Sequence, residues 1–314
     1  MIRRTALSLI VALSFALPAV AQQDKTIRII VPYPAGGNAD NIARLFAESL
    51  SRKLAQPVII DNKPGAGAVI GAQAAARGAA DGTSLFIAPT AVFVVTPHLK
   101  QVPYDAHNDF IPVARLTTWI PVMVTRKDFP ANNFTELVAE LKKNPDKYTF
   151  ASAGPATMTH LMGELLNLKL GTKTVHVPYK GSAEFIPDLL SGRVDMVYDS
   201  VVVPQVKGGQ LKAVASMVGI RHPDLPSVPT LKEVGVDLDV PNWYGLFAPK
   251  GTPKDFVDKL GAASKEVVDG LDKDKLNKMS MSAAFQGPSA FKAQIAVDDA
   301  LLRDVIKKAN IRAD

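Results

Sequence analysis

The chain contains no cysteine. Disulfide staples, thiolate metal ligands and thiol catalysis are therefore excluded. A chain of this size can do without staples even in an oxidising compartment. Histidine is scarce: His98, His107, His160, His176 and His222 are the five, and no two lie within five residues of one another. That removes the i, i+4 pair of a helical metal site. No serine stands in a G-x-S-x-G turn, and no Gly-Lys-Ser/Thr phosphate loop occurs. Aromatic residues make up only 7% of the chain, and its lysines and arginines are dispersed, giving a formal charge of +6. A nucleic-acid surface would want basic clusters interleaved with aromatics, so a mildly basic soluble surface is the reading. Beyond the N-terminus no stretch is apolar enough to cross a membrane.

What is present begins with an export leader. Arg3 and Arg4 precede an apolar run from Leu7 to Val20, and Ala19-Val20-Ala21 is a small-residue cleavage site. Residues 1–21 are read as a removed signal, with the mature chain starting near Gln22 and a net charge near +4. About 290 residues remain, enough for two cored domains.

The most informative stretch is Ile27 to Leu50. Ile27, Ile29, Ile30 and Val31 predict a buried strand. Pro32-Tyr33-Pro34-Ala35-Gly36-Gly37 must turn. Asn38 is then expected to cap a helix with its apolar face on Ile42, Leu45, Phe46, Leu50 and Leu54. A strand passing through a Gly-Gly loop into a helix presents free N–H groups and a positive dipole end to an anion. The same rhythm recurs. Pro57–Asp61 leads through Gly65-Ala66-Gly67 into an Ala-rich helix, and Leu85–Ala88 ends at Thr90. A second unit runs through Phe134–Lys143, Tyr148–Ala151, the loop Ser152–Thr157, the helix Met158–Leu170, Val175–Val177, the loop Pro178–Ser182 and Val194–Tyr198, which ends at Asp199. Alternation of this kind predicts parallel sheets covered by helices, with long helices after Pro249.

Candidate chemistry is thin. Gly65–Gly71 reads G-x-G-x-x-x-G, and the next strand ends in Ala88-Pro89 rather than an acid, so a dinucleotide site is not indicated. Asp40 reads as a first-turn residue that complements the helix dipole or caps N–H groups. Asp199 is placed to bind a polar ligand group. His160, in a first helical turn, reaches a ligand or makes a structural hydrogen bond, the latter being the simpler role. His98 and His222 flank prolines and are expected at the surface. Tyr33 and Tyr179 lie in matching V-P-Y loops, one per unit, and are expected to wall a cleft.

The segments VPYPAGGNADNIAR, VIIDNKPGAGAVIGA, PHLKQVPYDAHNDFIPVA, SAGPATMTHLMGE, VPYKGSA, GRVDMVYDS, VPTLKEVG and WYGLFAPKGTP, in this order, resemble the solute receptors of the tripartite tricarboxylate transporter family, the TctC-like or Bug-type proteins. The resemblance spans about Ile27 to Lys308. It implies a two-lobed α/β periplasmic binding protein fold of type II-like form, with a ligand cleft between the lobes and two chain crossovers near Thr125 and Val240. Residues 22–125 plus 240–314 would form one lobe and 126–239 the other. It further implies a periplasmic, monomeric, non-enzymatic receptor without cofactor or metal. Such a receptor captures a di- or tricarboxylate or an aromatic acid and hands it to a membrane transporter. A sensor presenting the closed form to a signalling partner, or an exported enzyme, is the alternative. Carried over by position, the implied ligand contacts are Tyr33, Ala35, Gly36, Gly37, Gly65, Ala66, Gly67 and Thr90 from the first lobe. The second would supply Ser152, Gly154, Thr157, Tyr179, Gly181 and Asp199. Gly36 and Gly37 would permit close backbone approach. The chain departs from the pattern at Asn38, where Ser or Thr is common, and at Ala68-Val69. Val92–Val95 and Trp119 suggest a ligand with an apolar body.

Overall fold

The computed structural model describes residues 26–238 and 240–312. The expected leader lies outside them. Along the chain run β1 (Ile27–Val31), α1 (Asn38–Leu54), β2 (Val58–Asn62), α2 (Val69–Ala76), β3 (Ser84–Pro89), α3 (Ala91–Val94), α4 (Thr96–Leu99) and β4 (Phe110–Trp119). There follow β5 (Val122–Arg126), α5 (Phe134–Lys143), β6 (Thr149–Ser152), α6 (Met158–Leu170), β7 (Val175–Pro178), α7 (Ile186–Leu190), β8 (Met196–Tyr198), α8 (Val203–Lys207) and β9 (Leu211–Ser216). The chain finishes with β10 (Trp243–Pro249), α9 (Lys254–Asp269), α10 (Lys273–Lys278), β11 (Met281–Gln286) and α11 (Pro288–Ala309).

Two sheets organise these elements. The first has the order β11-β4-β10-β3-β1-β2 and the second β7-β6-β8-β5-β9. Strand β1 pairs parallel with β2 and β3, and β6 pairs parallel with β7 and β8. The sheets are nonetheless mixed. Strand β10 runs antiparallel to β3 and β4, β11 antiparallel to β4, and β5 antiparallel to β8 and β9. The purely parallel expectation is corrected: strands that enter a sheet by a direct crossing, rather than through a βαβ unit, need not match its direction.

The chain leaves the first sheet at Ile120-Pro121. Proline offers no N–H to a ladder, so the apolar run Trp119–Val124 is divided there between β4 and β5. Strand β5, which a boundary at 125 would cut, lies whole in the second sheet. The return occurs between Ser216 and Trp243.

The first sheet packs on a cluster of rings. Phe93 and Phe247 stack at 4.0 Å, and Trp243 meets Phe291 edge-on at 4.9 Å. Gly245 makes room for this, since a Cβ there would sit 2.4 Å from the Phe291 ring. Val92, Val94 and Val95 are wholly buried in the same core, so the valine run after Thr90 packs the lobe and does not colour the cleft. No helix among the described residues is long and apolar enough to cross a membrane.

Candidate functional site

The turn after β1 is held from behind. Gly36 has φ +86°, a conformation that favours glycine. Its N–H donates to Asp40 Oδ2 at 3.0 Å, which also accepts from Arg44 Nε at 2.8 Å. Asn62 Nδ2 donates to Asp40 Oδ1 at 2.9 Å and to the Tyr33 carbonyl at 3.0 Å. The carboxyl of Asp40 is drawn up by burial but down by its bonds from Arg44, Gly36 and Asn62 and by the Arg44 charge, and it ends below the ordinary value. Helix α1 begins after Gly37, which caps it with no side-chain bond. Asn38 is thus its first residue rather than its cap. Freed from capping, the Asn38 amide donates to Asp199 Oδ1 at 2.8 Å, across the seam between the sheets.

A matching turn follows β6. Thr157 caps α6, accepting from the His160 N–H at 3.5 Å and donating to the Gly154 carbonyl at 2.7 Å. Thr159 Oγ1 accepts from the Ala153 N–H at 3.0 Å. His160 is buried behind this turn, with Nδ1 accepting from the Ala156 N–H at 3.2 Å and its ring stacked 4.1 Å from His176. Burial, with Lys100 nearby, lowers its pKa to about 4. Its role is therefore the structural one.

Between the two turns lies a partly open cavity of about 40 Å³, space for roughly three waters. Gly37, Asn38 and Ala39 bring the N-terminus of α1 to it, and Thr157, Met158 and Thr159 bring that of α6. First-turn N–H groups have no intrahelical acceptor, so two positive dipole ends converge on one space. Tyr33, Trp119 and Tyr244 form aromatic walls, and Ser182 and Asp199 complete the polar lining. Asp199 Oδ1 also accepts from the Val201 N–H at 3.0 Å, and Oδ2 accepts from Ser182 Oγ at 2.5 Å. Burial pushes its pKa up against these donors, and burial with the Asp199 charge pushes the Tyr33 phenol up as well.

Glycines let the two halves meet. A Cβ on Gly67 would lie 2.2 Å from the Pro155 carbonyl oxygen, and one on Gly181 would lie 2.5 Å from Pro34 Cδ. Thr96 Oγ1 donates to the Ala156 carbonyl at 3.0 Å across the same seam.

Of the residues singled out from the sequence, Tyr33, Gly37, Asn38, Trp119, Thr157 and Asp199 line the cavity, while Gly67, Gly154 and Gly181 form the seam. The others do not line it. Ala35 and Gly36 are exposed, and the Gly36 N–H is taken by Asp40. The Ala66 carbonyl accepts from Lys100 Nζ at 2.6 Å, and Gly65 lies with it outside the cavity. Thr90 Oγ1 accepts from the Trp243 N–H at 2.7 Å, tying β3 to β10. Ser152 Oγ is bonded to His176 Nε2 at 2.6 Å. Tyr179 Oη donates to Asp188 at 2.7 Å, and burial with this bond moves it up to about 12. His222 is wholly buried, not at the surface, and His98 bonds Asp299 at 2.6 Å. Pro89, Ala91, Ala153, Met158, Thr159, Ser182 and Tyr244 were not legible as lining. Ala91, Ala153, Met158 and Ser182 each lie beside a residue that was read as a contact, whereas Tyr244 arrives on a strand that returns from far along the chain.

The model of the Tripartite tricarboxylate transporter family receptor matches residues 42–309. A Pseudomonas sp. (strain P51) protein, the UPF0065 protein in the tcbD-tcbE intergenic region, is 37% identical over 79% of this chain and 76% of its own length. Among solved structures, the periplasmic binding protein BugD superposes with TM-score 0.86 at 34% identity, covering 91% of this chain and 98% of that one. An R. palustris protein with adipate gives 0.86 at 28% over the same shares. MatC from Rhodopseudomonas palustris with bound malate gives 0.84 at 30%, over 90% and 98%.

Proposed function

The chain belongs to the tripartite tricarboxylate transporter receptor family, and on that premise we propose that it is a periplasmic receptor that captures a small carboxylate between two lobes and delivers it to a membrane transporter. The observation that carries this reading is the meeting of two helix N-termini, one from each sheet's turn, at one cavity. Neighbours holding adipate and malate support a carboxylate as the guest.

The lobes part at Ile120-Pro121 and in the stretch between Ser216 and Trp243. An acid entering the open cleft meets the N–H groups at the start of α1. The second lobe then swings on the two crossings and brings the start of α6 onto the same group. A charge-assisted hydrogen bond contributes about 1.5–3 kcal/mol. Several are enough for micromolar binding, which needs about 8 kcal/mol net of ordering and dehydration. Closure brings surfaces of both lobes into one fixed arrangement for the transporter to recognise.

A thermal-shift screen against a carboxylate panel tests the reading. A cognate acid at 100 times its dissociation constant should add about 2.7 kcal/mol of stability and be recovered unchanged. A panel without any stabilising acid, or recovery of a converted product, overturns it.

A further inference from the structure

The cavity is poor in positive charge. No lysine, arginine or histidine lines it. Its attraction for an anion comes from two helix N-termini, each equivalent to about half a unit charge, which together offset about one negative charge. A carboxyl group, Asp199, is already built into the wall with Asn38, Ser182 and the Val201 and Ser200 N–H groups as donors. The titratable groups facing it from the neighbouring elements are the phenols of Tyr33 and Tyr244, both held neutral by burial. Lys100, beside Gly67 at the seam, donates to the Ala66 carbonyl and stays out of the lining.

We infer that the site is built for a ligand with a single ionised acid: a carboxylate at the paired helix ends and, at its other end, a hydrogen-bond donor such as a hydroxyl or amide that meets Asp199. This rests on the carboxylate-receptor reading above. A second ionised carboxylate would share the space with buried Asp199 and no cation, and two like charges so placed disfavour each other. A dianion enters such a site by taking up a proton, on itself or on Asp199. Burial already moves Asp199 in the direction that makes it the acceptor.

Isothermal calorimetry with matched pairs tests this. The dicarboxylates from malonate to adipate, with malate and terephthalate, are each compared with their monoamides at pH 5.5 and pH 8, in two buffers of different ionisation heat. At pH 8 the monoamide of the best-fitting skeleton should bind about tenfold or more tightly than its parent diacid. The diacid should take up about one proton on binding, so its affinity recovers at pH 5.5. Asp199→Asn should narrow the gap at pH 8. A diacid that matches its monoamide at pH 8 with no proton uptake overturns the inference and leaves the receptor reading intact. Failure of every acid and monoamide to bind at either pH overturns both.

Discussion

Asp40 holds the first turn in shape with three donors converging on one buried carboxylate. Asp40→Ala removes those acceptors and leaves the Asn62 amide and the Gly36 N–H to find others. It should lower stability by about 2–4 kcal/mol in chemical denaturation. The pH sign follows from the downward displacement of its carboxyl. A lowered folded-state pKa gives stability that is present above the unfolded value of about 3.9 and is lost as pH falls through the folded one. The gap between wild type and Asp40→Asn should therefore be flat above about pH 5 and shrink below about pH 4. A gap that widens in acid would contradict the assignment. The same residue explains a limit of sequence reading. The loop Pro32–Gly37 is legible as an anion-binding turn, but which polar groups remain free is decided by the partners the fold gives them. Asp40 takes Gly36, Trp243 takes Thr90 and Asp188 takes Tyr179. A one-dimensional pattern shows the loops and hides that prior engagement.

Two helices with side-chain caps, α5 and α6, were legible to the residue, whereas α10, capped by Asp272, was not. Helices α5 and α6 begin where Asn133 and Thr157 accept from the third residue beyond, as local chemistry demands. Strand β11 was missed because MSAAFQ has little strand preference of its own. It exists by pairing with β4, with Ser282 and Ala283 left exposed, and such preference is set by context. Helix α6 also carries a pH signature through His160. A histidine whose folded-state pKa lies near 4 is neutral in the fold but protonated in the unfolded chain below about 6.5. Stability should therefore decline as pH falls from about 6.5 to 4, by at most about 1.4 kcal/mol per pH unit from this group. His160→Gln should flatten that decline, measured as the difference from wild type. His222 is also lowered by burial and adds a slope of the same sign to both proteins. A slope unchanged in the variant would place the titration elsewhere.

At the scale of the molecule, the proposed capture requires two halves that close on each other, and glycines stand where they meet most closely. The two α/β units were legible from the repeated strand, small-residue loop and helix. The places where the chain crosses between them were less so, because only pairing partners reveal them. Gly181 gives the cleanest test of closure. Its φ is not in the left-handed region, so alanine there adds no backbone strain. The added methyl would come within 2.5 Å of Pro34 Cδ across the seam between the two halves. On the proposed closing motion, a form with the halves apart would lack this contact, so folding should be spared while closing is obstructed. Gly181→Ala should keep the unliganded melting temperature of wild type and lose about tenfold or more in affinity for whichever acid the screen identifies, which is about 1.4 kcal/mol. In small-angle scattering the wild type should contract on adding that acid and the variant should not. Gly219→Ala, where a methyl meets nothing within 4 Å, should behave as wild type in both measurements. Wild-type affinity and contraction in Gly181→Ala would mean that the ligand is held without the Pro34–Gly181 contact, and that the cleft shuts by some other approach of its lobes.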